Sequence, residues 1–133
     1  MITSVDSSVL LCILKNEKSA IEWLQRFKKM STEGRLIICD VVVAEVGSMF
    51  TEESVFKRIV MSNLNIQFEA CTLESSLLAA RTFSLYRQQG GKRDRVIADF
   101  IIGAHAKNQA TQLATLDRGY FRTYFKGLKI VEV

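Results

Sequence analysis

The stretch that most limits how this chain can fold is RVIADFIIGAHA, Arg95 to Ala106. It has helix length and no proline, and apolar residues fall on nearly every side: Val96, Ile97, Ala98, Phe100, Ile101, Ile102, Ala104 and Ala106. A helix without a polar face belongs between other layers of structure, where water is excluded. In its middle stands a single carboxylate, Asp99. An ionised acid in such a place is costly unless a cation, a metal or a hydrogen-bond network compensates for the lost water. The stretch therefore predicts a layered fold and demands partners for Asp99.

The rest of the chain supplies the layers. Ile2 to Val5 is a β-type run ending at Asp6, and Ser7 and Ser8 are caps for the helix VLLCIL. Glu17 to Ser31 has amphipathic helical spacing, with Trp23 and Phe27 on one face. Leu36 to Cys39 is a second apolar run, after which Asp40 caps the helix VVVAEVGSMF. A helix over Thr51–Asn63, a strand NIQFE, and a helix from Leu73 to about Gln88 capped by Thr72 follow, and Gly90-Gly91 breaks the chain. Asp94 caps the Asp99 helix, Leu113 to Leu116 is a strand ending at Asp117, a short helix covers Tyr120 to Phe125, and Leu128 to Val133 closes the chain. Strands alternating with helices predict one α/β domain over residues 1–133, a three-layer sandwich with a parallel central sheet and helices on both faces.

Within that frame four acids stand apart. Asp6 and Asp117 each end a strand, on the edge where open α/β sheets bind ligands. Glu45 and Asp99 each interrupt an apolar helix. Taken singly each has an ordinary explanation, since Asp6 serves as a turn or cap residue and Glu45 can point outward or pair with an arginine. Taken together they converge on one edge of the sheet, where like charges repel unless a cation lies between them. Oxygen donors with no histidine or cysteine beside them favour Mg²⁺ or Mn²⁺. Such a site hydrolyses phosphodiesters by activating a bound water, with one metal or two, and needs no protein nucleophile.

These segments carry a resemblance. The order VDSSVLL, DVVVAEV, RVIADFIIGAHA and LATLDRGYF resembles the PIN domain, specifically the VapC-type toxin ribonucleases, over essentially the whole chain. The family's four acids fall on Asp6, Glu45, Asp99 and Asp117, and Thr115 matches a position where the family carries a hydroxyl near the metal. The resemblance implies a Rossmann-like fold and a Mg²⁺-dependent endoribonuclease acting on tRNA or rRNA. It also implies a homodimer and inhibition by a small cognate antitoxin. The competing reading is the same fold as an inactive RNA- or protein-binding module. A phospho-receiver domain is disfavoured, because the strand near Phe68 ends in Glu69-Ala70 without an aspartate.

Charge fits the nuclease reading. There are 18 basic and 14 acidic side chains, a net +4, so gathering four acids in one site leaves a clearly basic exterior for a polyanion. Arg118 and Arg122, interleaved with Tyr120, Phe121, Tyr124 and Phe125, offer phosphate contacts and base stacking, or else a basic face over core aromatics. Lys92, Arg93 and Arg95 form a second basic group ahead of Asp99. Met49, Phe50, Val55, Phe56 and Ile59 belong to the core, a dimer surface or an antitoxin groove. His105, six residues after Asp99, is about 240° round the helix from it and belongs to packing. The cysteines Cys12, Cys39 and Cys71 have neither disulfide-framework nor zinc-site spacing and read as buried small hydrophobes in a reducing cytoplasm. No run reaches the ~20 apolar residues of a membrane span, and the N-terminal stretch lacks the basic start of a signal peptide.

Overall fold

Five short parallel strands form one sheet in the order β3-β2-β1-β4-β5 in a computed structural model that describes residues 1–90, 96–131 and 133. The strands are β1 (Ile2–Val5), β2 (Arg35–Ile38), β3 (Ile66–Phe68), β4 (Gln112–Ala114) and β5 (Lys129–Val131). The helices are α1 (Ser7–Leu14), α2 (Ala20–Glu33), α3 (Asp40–Gly47), α4 (Glu53–Phe56), α5 (Leu73–Gln88), α6 (Ile97–Gln109) and α7 (Arg118–Tyr124). The chain steps outward from β1 to β2 and β3, then returns across the sheet to β4 and β5. Right-handed crossovers accordingly put α1–α4 on one face and α5–α7 on the other.

That order creates a switch in direction between β1 and β4, which pair Thr3 with Gln112, Ser4 with Leu113 and Val5 with Ala114. Helices leaving the two strands diverge to opposite faces, so a crevice opens beyond their carboxyl ends. Val5, Leu36, Ile37, Ile38, Leu113 and Ala114 are wholly buried, as expected of parallel strands covered on both sides. Trp23 and Phe27 pack in the core with ring centroids 6.3 Å apart.

Several boundaries differ from the sequence reading, each for a local reason. The helix expected over Thr51–Asn63 starts at Glu53 and passes at Lys57 into a π-helical segment, Lys57–Asn63, which fits a wider turn into the same span. Asp40 does not cap α3. Cys39 occupies the cap position, and Asp40 Oδ1 instead accepts the Cys71 N–H at 3.2 Å. Ser7 and Ser8 lie inside α1 behind Asp6 and donate to acids rather than capping. Thr72 caps α5 as expected, accepting the Ser75 N–H at 3.1 Å. Asp94 lies outside the described residues.

The Asp99 helix departs most. α6 begins at Ile97, so Asp99 occupies its first turn, where Oδ2 accepts the Val96 N–H at 3.4 Å. Burial is concentrated further along, from Phe100 through Ala106, while Val96 and Ile97 are exposed. Gly103 lets this helix press on α7's far end, since a Cβ there would collide with the Phe125 ring.

Candidate functional site at the carboxyl edge

Asp6 anchors the crevice. Its N–H donates to the Ala114 carbonyl at 2.9 Å, extending the β1–β4 pairing to the last residue before α1. The side chain is buried, only 7% exposed, and Oδ2 accepts two hydroxyl donors, Thr115 at 2.7 Å and Ser8 at 2.8 Å. Burial raises its pKa above 3.8. The Thr115 and Ser8 donors lower it, and the neighbouring Asp99 charge pushes it up again. A carboxyl in that state gains from a cation.

The other acids are tied to the same place by different devices. Ser7 donates to Glu45 Oε1 at 2.7 Å, which links α3 to the residue after Asp6. Thr115 receives the Asp117 N–H at 3.0 Å while donating to Asp6, so one hydroxyl spans two of the acids. Ser8 closes the loop by accepting the Leu116 N–H at 3.1 Å. Asp99 reaches Asp6 through its charge. Exposure grades outward: Asp6 is buried, Asp99 and Asp117 are half-buried and Glu45 is exposed. Among the described residues, no three of these carboxylates bring oxygens within 4.8 Å of one another. The four acids therefore gather at one edge but stand wider apart than a closed ligand set. Their donors are oxygens only, a chemistry that fits Mg²⁺ or Mn²⁺.

The sequence candidates around the acids divide. Thr115 holds Asp6 directly, and the signal for it was the family resemblance, which implies a hydroxyl at that position. Ser7 and Ser8 were missed as contributors, because a hydroxyl after a strand reads first as a cap. Arg122 is exposed on α7, just beyond Asp117, whereas nothing is described of the Arg118 side chain. Lys92, Arg93 and Arg95 lie outside the described residues. The aromatic partners proposed for base stacking are mostly core instead. Tyr120, Phe121 and Phe125 are buried, and Phe100 lies at the centre of a cluster with Phe83, Tyr86, Tyr120 and Tyr124. α7 packs Tyr120 and Tyr124 against Phe100 and leaves Arg122 outward.

His105 is fully buried and works in the loop after β3. Its Nε2 lies 2.9 Å from the Glu69 carbonyl, which can only accept, so the proton sits on Nε2 and Nδ1 accepts from Ser4 Oγ at 3.3 Å. Desolvation lowers its pKa below 6.5 and keeps the ring neutral. Two cysteines also do more than fill space. Cys39 and Cys71 meet beside Asp40, with three ligand atoms within 4.8 Å of one another. The Cys71 thiol is hydrogen-bonded to the Cys39 sulfur and to Asp40, which favours the proton on Cys71 and lowers Cys39. Spacing along the chain hid this contact, since 39 and 71 meet only because β2 and β3 are neighbours.

Phe50 and Phe56 stack edge to face at 5.6 Å and line a groove of about 550 Å³ with Val43, Gly47, Met61 and the half-exposed Phe68. Of the other residues considered for a docking surface, Met49 is exposed and Val55 and Ile59 are half-buried.

Fold and edge together define a class: a parallel α/β domain whose strand-direction switch is lined with carboxylates. The PIN domain model matches residues 4–126, and the chain belongs to the PIN domain family, whose members are typically nucleases. Similar solved structures include VapBC2 from Rickettsia felis bound to a DNA fragment from its promoter (18% identity, 98% of each chain, TM-score 0.72). VapBC-1 from nontypeable Haemophilus influenzae is similar over 99% of this chain and 98% of that one (16% identity, TM-score 0.73). FitAcB from Neisseria gonorrhoeae is similar over 99% and 97% (20% identity, TM-score 0.66). A search of curated proteins gave no match. No described helix is long and apolar enough to cross a membrane.

Proposed function

We propose that this protein is a Mg²⁺- or Mn²⁺-dependent endoribonuclease, the toxin of a toxin–antitoxin pair. The observation that carries the reading is Asp6: a buried carboxylate at the switch point, raised in pKa, with Thr115, Ser8 and the charge of Asp99 around it. Asp6, Glu45, Asp99 and Asp117 would hold the metal. When bound, it lowers the pKa of a water and offsets charge on the phosphoryl oxygens. Thr115 and Ser8 fix the Asp6 carboxylate, and Ser7 steers Glu45 toward the same edge. Arg118 and Arg122, with Lys92, Arg93 and Arg95 ahead of α6, grip the phosphates of a folded RNA such as tRNA or rRNA.

Two of the solved neighbours above are VapBC assemblies, which supports a small antitoxin as partner. The Phe50–Phe56 groove beside α3 suits an apolar antitoxin segment. The reading includes a homodimer and a reducing cytoplasm, where Cys12, Cys39 and Cys71 stay as thiols.

The wide separation of the acids favours a second reading, a PIN fold that binds RNA or protein without cutting. One experiment separates them. Purified protein is incubated with total RNA in Mg²⁺, in Mn²⁺ and in chelator, and the new ends are mapped. Defined cuts with either metal, absent in chelator and lost in Asp99→Ala while RNA binding persists, support the nuclease. Binding without metal-dependent cuts in the wild type sinks it.

A further inference from the structure

Cys39, Asp40 and Cys71 form a cluster that the acidic edge does not use. Cys39 follows β2 at the cap position of α3 and is buried, Asp40 opens α3 and is exposed, and Cys71 lies half-buried in the loop between β3 and α5. Their two sulfurs and one carboxylate oxygen all lie within 4.8 Å of one another, the only such trio among the described residues. Donors bound at about 2.0–2.3 Å to one tetrahedral ion are themselves about 3.3–3.8 Å apart, so side chains already within 4.8 Å of one another need only a small inward shift to share an ion.

The loop that brings Cys71 there is fixed. Gln109 on α6 donates to the Ala70 carbonyl at 2.9 Å and accepts from the Thr72 N–H at 3.0 Å. His105 holds the Glu69 carbonyl at 2.9 Å, and Asp40 Oδ1 takes the Cys71 N–H. Residues on both sides of the thiol are therefore pinned before any ligand arrives.

We infer that Cys39, Asp40 and Cys71 form a binding site for a thiophilic divalent cation of the zinc class, separate from the acidic edge. Two thiolates select against Mg²⁺ and Mn²⁺, which prefer oxygen, so the two sites differ in the ion they take. Binding sends the thiol protons to the buffer and leaves a fourth position for water at the exposed side of Asp40. The ion ties the first turn of α3, the helix that carries Glu45, to the loop ahead of α5. The carboxylate is what argues for an ion over a disulfide, which would join the sulfurs and leave Asp40 outside the bond.

The test uses the intact protein kept reduced with a phosphine and titrated with Co²⁺ as a spectroscopic stand-in, then with Zn²⁺. Expected are a thiolate-to-cobalt charge-transfer band saturating at one ion per chain, its bleaching by Zn²⁺, and a Zn²⁺-dependent rise in melting temperature. Cys71→Ser, at a half-buried position, abolishes the band while its circular dichroism stays that of the wild type. Cys12→Ala and Asp6→Asn keep the band, which separates this site from the acidic edge. Cobalt spectra without a charge-transfer band, a band unaffected by Cys71→Ser, or a Cys39–Cys71 disulfide persisting in the reductant each overturn the inference. Nuclease activity is no part of the readout, so the two proposals stand or fall apart.

Discussion

Asp6 is a buried acid that costs the fold stability, and under the nuclease proposal it is also a metal ligand. Its burial and the charge of Asp99 raise the carboxyl's pKa above the 3.8 of a free aspartate. With a folded-state pKa above the unfolded one, the native state holds the proton more tightly. Stability thus falls as pH rises through the window from 3.8 to the raised value, and the penalty persists at neutral pH. Asparagine at this position keeps an oxygen for Thr115 and Ser8 and removes the charge. In chelator at pH 7–8, Asp6→Asn should melt at a higher temperature than the wild type. It should also lose stabilisation by Mg²⁺ and cut RNA at least about 100-fold more slowly. Thermal melts with and without metal check the first two, and a cleavage time course checks the third. An unchanged melting temperature in chelator would show that the carboxyl is not strained.

At the scale of elements, α6 has two jobs divided along its length. Its first turn presents Asp99, and its last two turns hold the loop after β3 through His105 and Gln109. His105→Ala leaves the Glu69 carbonyl and Ser4 hydroxyl without this partner and opens a cavity, at a cost of about 3 kcal/mol. Because burial depresses the imidazole's pKa, the unfolded chain takes up the proton first. Stability is therefore lost as pH falls through 6.5 toward the lower folded value, and this slope should be absent in the variant. Urea titrations at several pH values read both effects. Alternation of apolar runs and helices made the layers legible from residue order, and the acids at strand ends pointed to the edge. What stayed hidden depends on neighbours in space. The inward turn of Tyr120 and Phe121, the Ser7–Glu45 bond and the Cys39–Cys71 contact follow from which elements pack together, and no local pattern encodes that. Apolar composition likewise overstated the burial of α6's start, because Val96 and Ile97 lie at an exposed helix entry.

The molecule as a whole carries a net +4 while concentrating acids at one edge. If Arg118, Arg122, Lys92, Arg93 and Arg95 hold RNA as proposed, affinity must depend steeply on salt. For Asp99→Ala, which the nuclease proposal expects to bind without cutting, log affinity against log salt should fall with a slope of about −3, given about 0.7 counterions released per phosphate and four or five contacts. A flat dependence in filter binding would remove the phosphate grip. The strand order has one more consequence, concerning birth on the ribosome. β1 is made well before β4, one of its two neighbours, and Asp6 finds its Ala114 and Thr115 partners only after residue 115 has emerged. A half-made or truncated copy ending before residue 112 therefore lacks β4, and with it one wall of the crevice and both of these partners of Asp6.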